Sequence, residues 1–412
     1  MSNGNQTVVG AIEDLAQQIR RYNDQLHPLI ALLQHIIQLL NRPQEPVVQP
    51  IEEVAKTLQS YLSGQLDPII GRLNEIDQHL EQVKESVAQP VASIAVPVSP
   101  DETHERVPIM AAAPEGDFIE IAETPVYYID EGNRRSRPVL FLHGNLASSY
   151  TWRHAIHHLR PLGRCIAPDM VGFGRSGKPD IDYSFFDQAN YLEAFIDALE
   201  LENITFVMHE WGSGLGFHYA MQHEDKVRGL AFVEPFIQPF DDWDTFPSSS
   251  AEPQTRQFFQ GLREGDEGGP GWQRLHALDP LIDQLVPPFV LPRTISPEEL
   301  AQYRAPFVDA PDYKPLWRLT KDIPIAGEPA DVAEAVLAYS DKLRQSEIPK
   351  LLLYGSPGTL MDAARVQWCR HYLLELETVD LGEGSLFLHE AHPHQFGIDL
   401  AIWYSETVRR GR

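Results

Sequence analysis

Cysteine is scarce in this 412-residue chain, which contains only Cys165 and Cys369. Two cysteines so far apart give no disulfide framework and no spacing typical of metal ligands. Such a chain fits a reducing compartment, so we expect a cytoplasmic protein. We predict no metal site and no cofactor.

Long apolar runs are also lacking. The longest stretch rich in apolar residues, 29–40, is interrupted by Gln34, His35 and Gln38. A helix that spans a bilayer needs about 20 predominantly apolar residues. No basic segment followed by an apolar core opens the chain. We therefore expect neither a transmembrane segment nor a secretory signal.

Basic residues are outnumbered by acidic ones. The chain has 33 Lys and Arg against 59 Asp and Glu, which gives a formal net charge of −26. A strongly acidic protein is repelled by nucleic acid and by anionic lipid surfaces, so neither is expected as a partner. A charge of this size is otherwise typical of a protein that stays in solution.

Residues 1–88 carry an apolar pattern that the rest of the chain does not share. Apolar residues recur at alternating steps of three and four over 12–40, and again over 51–87 with one extra four-residue step. This alternation is the heptad seam of a coiled coil, and the extra step is a stutter that locally unwinds it. The two runs also resemble each other at an offset of 39 residues. We predict a tandem helical repeat.

The two copies of the repeat are predicted to form a helical hairpin that turns at residues 41–46. Each copy contains a proline, Pro28 or Pro68, that should kink or split its helix. The apolar face is too broad to be buried in a lone hairpin. We therefore predict a homo-oligomer formed through these helices, or docking to a larger protein assembly. The alternative is a hairpin that folds back onto its own C-terminal domain.

Residues 89–110 contain four prolines and many small residues without periodicity, which predicts an extended tether.

From residue 111 to 412, short β-rich runs alternate with helical ones, which predicts an α/β domain with a mostly parallel sheet covered on both faces. The predicted strands cover eight segments: 118–121, 126–129, 139–142, 164–167, 204–208, 227–233, 350–354 and 377–381. About a hundred residues, 235–347, separate two of these strands and are predicted to form an inserted helical cap.

A strand, a sharp turn and a helix are predicted around the sequence V-M-H-E-W-G-S-G-L-G-F, which begins at Val207. This is the layout of a nucleophile elbow, in which the turn presents one reactive side chain. The residue at the reactive position is Glu210. The sequence therefore raises the question whether this turn still performs chemistry.

Several motifs in the C-terminal domain resemble the haloalkane dehalogenases, which are α/β-hydrolases with an eight-stranded, mostly parallel sheet and a helical cap. The resemblance covers close to three quarters of the chain and rests on motifs in the family's order. The motifs include F-L-H-G-N-L-A-S-S-Y-T-W-R from Phe141, C-I-A-P-D-M-V-G-F-G-R-S-G-K-P-D from Cys165, H-E-W-G-S-G-L-G-F-H-Y from His209 and P-L-W-R-L-T-K-D-I-P-I-A-G-E-P-A from Pro315.

The resemblance implies a reaction and a set of site residues. In this family an aspartate displaces halide from an sp³ carbon, a histidine activates the water that cleaves the resulting ester, and a second acid orients the histidine. Two hydrogen-bond donors hold the leaving halide. By position, Asn145 and Trp211 correspond to the halide donors and Glu234 to the orienting acid.

Two reacting positions depart from the family pattern. Glu210 stands where the family has aspartate, and its additional methylene moves the carboxylate by roughly an ångström, a misplacement that can cost about a hundredfold in rate. Leu386 stands at the position of the catalytic histidine when the C-terminal motif is aligned on Glu390 and Pro393. Leucine cannot accept a proton, so an ester formed on Glu210 would persist.

Histidines near the C-terminus are candidates for a substitute base. His389 lies three residues after Leu386, and His392 and His394 follow. A general base must come within about 3 Å of its water, so a shift of three residues makes rescue by His389 unfavourable. The alternative is that these histidines form a polar cluster at a helix start on the surface. His209, beside the elbow, is interpreted as structural.

These observations favour a catalytically inactive, haloalkane dehalogenase-like protein that acts as an oligomerising structural or interaction component. Its pocket could still hold a small apolar ligand or a halide. The first alternative is an active haloalkane dehalogenase with an unorthodox triad of Glu210 with His389 or His392. A luciferase-like oxygenase is a second alternative, against which Leu386 also counts.

Overall fold

The computed structural model describes residues 112–246, 253–277 and 281–409. The predicted helical repeat (1–88) and tether (89–110) lie outside the described residues, so both stay predictions. Within these three ranges, no helix combines the length and apolar character needed to cross a bilayer.

An eight-stranded sheet forms the centre of the described domain. Its strands, in chain order, are β1 Asp117–Ile121, β2 Thr124–Gly132, β3 Pro138–Leu142, β4 Arg164–Pro168, β5 Ile204–Glu210, β6 Val227–Pro235, β7 Lys350–Pro357 and β8 Leu376–Gly384. Every segment predicted as a strand lies inside one of them. Their order across the sheet is β1-β2-β4-β3-β5-β6-β7-β8.

The pairing confirms the prediction of a mostly parallel sheet in an α/β-hydrolase fold. β1 pairs with β2, and β2 with β4, in antiparallel fashion. All other neighbours, from β4 and β3 to β7 and β8, are parallel. Because parallel neighbours point the same way, the carboxyl ends of β3, β5 and β6 meet at one edge, where an α/β protein builds its site.

Helices connect the strands and cover the sheet. They are α1 Arg153–Leu159, α2 Phe185–Ala198, α3 Trp211–Ala220, α4 Pro253–Leu262, α5 Pro270–Ala277, α6 Leu281–Phe289, α7 Pro297–Arg304, α8 Lys314–Asp322, α9 Ala330–Leu343, α10 Ala363–Tyr372, α11 Leu388–Ala391 and α12 Pro393–Trp403. Some have clear start signals, such as the capping boxes of Ser184 with Asp187 at α2 and Ser296 with Glu299 at α7.

Both faces of the sheet are buried. Alternate residues of β3 belong to two separate apolar clusters, Leu140 and Leu142 on one face and Val139 and Phe141 on the other. The first face packs against α2, α3 and the cap, and the second against α1 and α12. Burial on both faces explains why the central strands are nearly continuous apolar runs.

The cap lies between β6 and β7 and is smaller than the predicted 235–347. α4 to α8 belong to it, whereas α9 packs on the core: the Tyr339 ring lies 5.7 Å from that of Phe217 on α3, and Lys342 donates to the carbonyl oxygen of Met221 at 2.9 Å. α9 is therefore one of the helices that cover the sheet, although no strand separates it from the cap in the sequence.

Candidate active site

The turn between β5 and α3 has the geometry of a nucleophile elbow. β5 is buried along its whole length and ends at Glu210, whose φ of +50° lies in the left-handed region. α3 begins at the next residue. The turn is so close to β3 that a Cβ on Gly212 would lie 2.2 Å from the carbonyl oxygen of Leu142. Glu210 thus stands at the apex of a strained strand-to-helix turn.

The carboxylate of Glu210 accepts hydrogen bonds from two backbone N–H groups. Its Oε2 accepts hydrogen bonds from the backbone N–H of Trp211 at 2.6 Å and from that of Asn145 at 2.7 Å. In hydrolases with this elbow, the N–H after the nucleophile and one from the loop after β3 form the oxyanion hole. Oε2 of Glu210 therefore lies where the carbonyl oxygen of an ester on Glu210 would lie.

Burial changes the acidity of Glu210. The side chain is 6% exposed, and loss of solvent raises its pKa to about 7, against the opposing effect of the two N–H donors. Burial therefore favours the protonated form of this acid. A nucleophilic carboxylate has to be ionised, so this environment disfavours the attacking form.

Both predicted halide donors are bonded to the cap helix α8. Asn145 Nδ2 donates to the carbonyl oxygen of Leu316 at 3.1 Å and to Thr320 Oγ1 at 3.3 Å. Trp211 Nε1 donates to the carbonyl oxygen of Leu319 at 3.0 Å. A halide bound between these donors would have to replace both sets of bonds.

Glu234 lies where the resemblance places the orienting acid. It ends β6 with a φ of +46°, and its Oε2 accepts hydrogen bonds from the backbone N–H groups of Thr359, Leu360 and Met361. Its buried Oε1 has no hydrogen-bond partner among the described residues. Burial raises its pKa to about 7. Oε2 of this acid is thus fixed by three backbone hydrogen bonds, whereas Oε1 receives none from the described residues.

Leu386 and Glu210 line the same cavity. The carbonyl oxygen of Leu386 accepts a hydrogen bond from His209 Nε2 at 2.8 Å. His209 is buried, and its pKa is well below the usual value because of that burial. Neutral His209 therefore anchors the loop that carries Leu386, which agrees with its predicted structural role.

His389 is buried and lies behind the cavity wall. Its Nε2 is 2.5 Å from Thr151 Oγ1, and its ring stacks on Trp152 with centroids 4.8 Å apart. Burial, and then the charge of Arg153, lower its pKa to about 3. His389 is not one of the residues that line the cavity. It is therefore neither a surface residue nor in contact with the cavity that holds Glu210.

The other two C-terminal histidines also point elsewhere. His392 Nε2 lies 2.7 Å from the carbonyl oxygen of Glu383, and His394 Nδ1 lies 3.5 Å from His158 Nε2. Neither lines the cavity. The described cavity wall thus contains no imidazole.

The cavity between the cap and the strand ends is small and apolar. Its volume is about 40 Å³, against roughly 300–1,000 Å³ for the usual small-molecule pocket. Its described lining residues are Asn145, Leu146, Glu210, Phe236, Phe246, Phe258, Phe259, Leu262, Leu285, Phe289, Leu316, Thr320, Ile323, Thr359, Leu360 and Leu386. Of the predicted site residues it brings together Asn145, Glu210 and Leu386. Glu234 is hydrogen-bonded to its wall, and Trp211 contributes no lining atom.

A buried ion network next to the site was not found from the sequence. Fully buried Arg153 binds the carboxylates of Glu390 and Glu299, and Arg293 binds both as well. These residues are far apart in the chain, so only the fold brings them together. Ligand atoms of His154, Glu299 and Glu390 lie within 4.8 Å of one another. Because two guanidinium groups already neutralise the two carboxylates, the cluster offers no charge that would attract a metal ion.

Comparisons with known proteins agree with this geometry. The family described as alpha/beta hydrolase fold matches residues 137–379, which defines the class of the domain. A haloalkane dehalogenase of Mesorhizobium japonicum is 42% identical over 73% of this chain and 94% of its own length. One from Sphingobium indicum is 36% identical over 74% and 99%. The crystal structure of haloalkane dehalogenase DbeA from Bradyrhizobium elkani superposes with a TM-score of 0.67 at 39% identity, over 71% of this chain and 97% of that one.

At these identities, and over nearly the whole length of the relatives, the chain belongs to the haloalkane dehalogenase family. The matches cover about three quarters of it.

Proposed function

We propose that this protein is a non-catalytic member of its family, and that its hydrolase domain serves as a structural or interaction module. The observation that carries the proposal is Leu386 in the wall of the cavity that Glu210 also lines, at the position of the family's base. An ester on Glu210 needs a base to activate the water that cleaves it. An aliphatic side chain cannot supply that step, so turnover would stop after one event.

The state of Glu210 supports the same proposal. Burial raises the pKa of its carboxyl group to about 7, which disfavours the ionised form that attacks carbon. The cavity is also small, with a volume of about 40 Å³, which limits the size of a substrate. Attack on carbon and entry of larger substrates are therefore disfavoured, in addition to the missing base for hydrolysis of the ester.

The second candidate is an active haloalkane dehalogenase. It is favoured by the 42% identity with the haloalkane dehalogenase of Mesorhizobium japonicum over nearly all of that protein. It requires a base other than residue 386. His389, the histidine that follows residue 386 most closely in the sequence, faces Thr151 and Trp152 and has a pKa of about 3. Such a neutral, buried imidazole would have to leave its partners to reach the cavity.

Acid release from a panel of brominated and chlorinated alkanes, followed with a pH indicator, separates the two candidates. The Mesorhizobium japonicum relative provides the positive control for the substrates. We expect no sustained acid release from the full-length protein. Sustained release that is lost in the Glu210→Gln variant would establish the hydrolase and refute our proposal.

We further propose that the predicted helical repeat, residues 1–88, assembles the chains. Its broad apolar face calls for a partner surface, and a second copy of the same repeat supplies one. Light scattering on the full-length protein and on a truncated form that begins at Val107 tests this. We expect an oligomer that disappears on truncation, and a monomeric full-length protein would contradict the proposal.

A further inference from the structure

The cavity at Glu210 has an unusual combination of lining residues. Five of them are phenylalanines, and Glu210 is the one ionisable residue among the described lining residues. No lysine, arginine or histidine is among them. Aromatic faces together with a carboxylate are the groups that recognise a cationic ammonium, because the ring face is negative and attracts positive charge.

The hydrogen-bond donors that would favour an anion are no longer free. Asn145 Nδ2 and Trp211 Nε1 are bonded to carbonyl oxygens of α8, and the two backbone N–H groups are bonded to Glu210 Oε2. Leu319, which accepts from Trp211, lies in the last turn of α8, whose carbonyl end carries partial negative charge. These bonds oppose the binding of an anion.

The groups left without partners are acceptors. Glu210 Oε1 belongs to a cavity-lining side chain and receives no hydrogen bond from the described residues, whose bonds all go to Oε2. Asn145 Oδ1 is buried and also has no partner among them. A buried acceptor without a donor costs free energy. A ligand that brings N–H donors into the cavity would remove that cost.

We propose that this cavity binds a small ammonium cation, with the positive nitrogen at Glu210 and its alkyl group among the phenylalanines. The volume of about 40 Å³ sets the size: a cavity that holds one water molecule needs roughly 10–15 Å³, so about three heavy atoms are accommodated. Methylammonium is the matching probe. The family's halide site has, on this account, been converted from anion to cation recognition.

Methyl-proton saturation-transfer NMR on the full-length protein with methylammonium chloride measures this binding directly. Ionic strength is held constant with sodium chloride. Glu210→Gln keeps an oxygen for the two N–H groups and removes the charge. Glu120→Gln makes the same change at an exposed position on β1 and serves as the matched control. We expect a saturable signal that weakens at least tenfold in Glu210→Gln and is unchanged in Glu120→Gln.

Two competitions in the unaltered protein test the charge and size of the ligand without relying on a variant. Methanol resembles methylammonium in size but is uncharged, and tetramethylammonium is charged but larger. We expect neither to displace methylammonium at equal concentration. Absence of saturable binding, an equal signal in Glu210→Gln, or displacement by either competitor would overturn the proposal. Because the readout is binding, its failure is distinguishable from a failure of the proposed loss of turnover, which halide release reports.

Discussion

Replacing Glu210 with glutamine removes a buried acid whose ionisation opposes folding. Its pKa rises from 4.5 to about 7 on folding because burial outweighs the two N–H donors. A pKa raised by about 2.5 corresponds to about 3 kcal/mol, since one pKa unit is about 1.4 kcal/mol. Glutamine keeps an oxygen for the N–H groups of Asn145 and Trp211 and cannot ionise.

The direction of the effect follows from linkage. The folded state favours the protonated acid, so the stability that Glu210 provides is fully present below pH 4.5 and is lost as the pH rises through 7. The unfolded glutamate is already mostly ionised at pH 5.5. About 2 of the roughly 3 kcal/mol therefore fall between pH 5.5 and 8.5.

Denaturant unfolding of the unaltered protein and of Glu210→Gln at pH 5.5 and pH 8.5 measures this difference. We expect the stability of the variant relative to the unaltered protein to increase by about 2 kcal/mol from the lower to the higher pH. Glu120→Gln, at an exposed site, should show no such change. A relative stability of Glu210→Gln that is equal at both pH values would refute the reasoning that burial controls this carboxylate.

Two further predictions concern the site and its surroundings. The double variant Glu210→Asp with Leu386→His should gain bromide release from one-carbon bromides, measured by ion chromatography, because the new imidazole can use the free Oε1 of Glu234. Glu210→Asp alone should not gain it. Arg153→Met should lower the free energy of unfolding by about 3–5 kcal/mol, since it leaves the buried carboxylate of Glu390 short of a partner. A thermal melt close to that of the unaltered protein would contradict this.

Much of the fold could be predicted from the sequence because strands and elbow carry local signals. Short apolar runs between turn residues predicted all eight strands, and the motif around Glu210 predicted the turn. The boundary of the cap could not be predicted in this way. α9 is as helical in sequence as its neighbours, and only its contacts with Phe217 and Met221 place it on the core.

The composition of the site was partly predictable. The positions of Asn145, Glu210 and Leu386 within the sequence motifs predicted a common site, and all three residues line one cavity. The direction of each side chain was not predictable, because it depends on contacts between distant segments. Asn145 is hydrogen-bonded to α8, and Arg153 is hydrogen-bonded to Glu390 in the ion network. Each of these contacts joins residues more than a hundred positions apart in the chain.

We propose that none of the described residues of this site cleaves an ester on Glu210. The most direct measurement is the number of bromide ions released per protein chain during prolonged incubation with excess bromoalkane. We predict at most one ion per chain, with any released ion matched by an alkyl mass on Glu210. Many ions per chain, with an unmodified Glu210 at the end, would contradict the account.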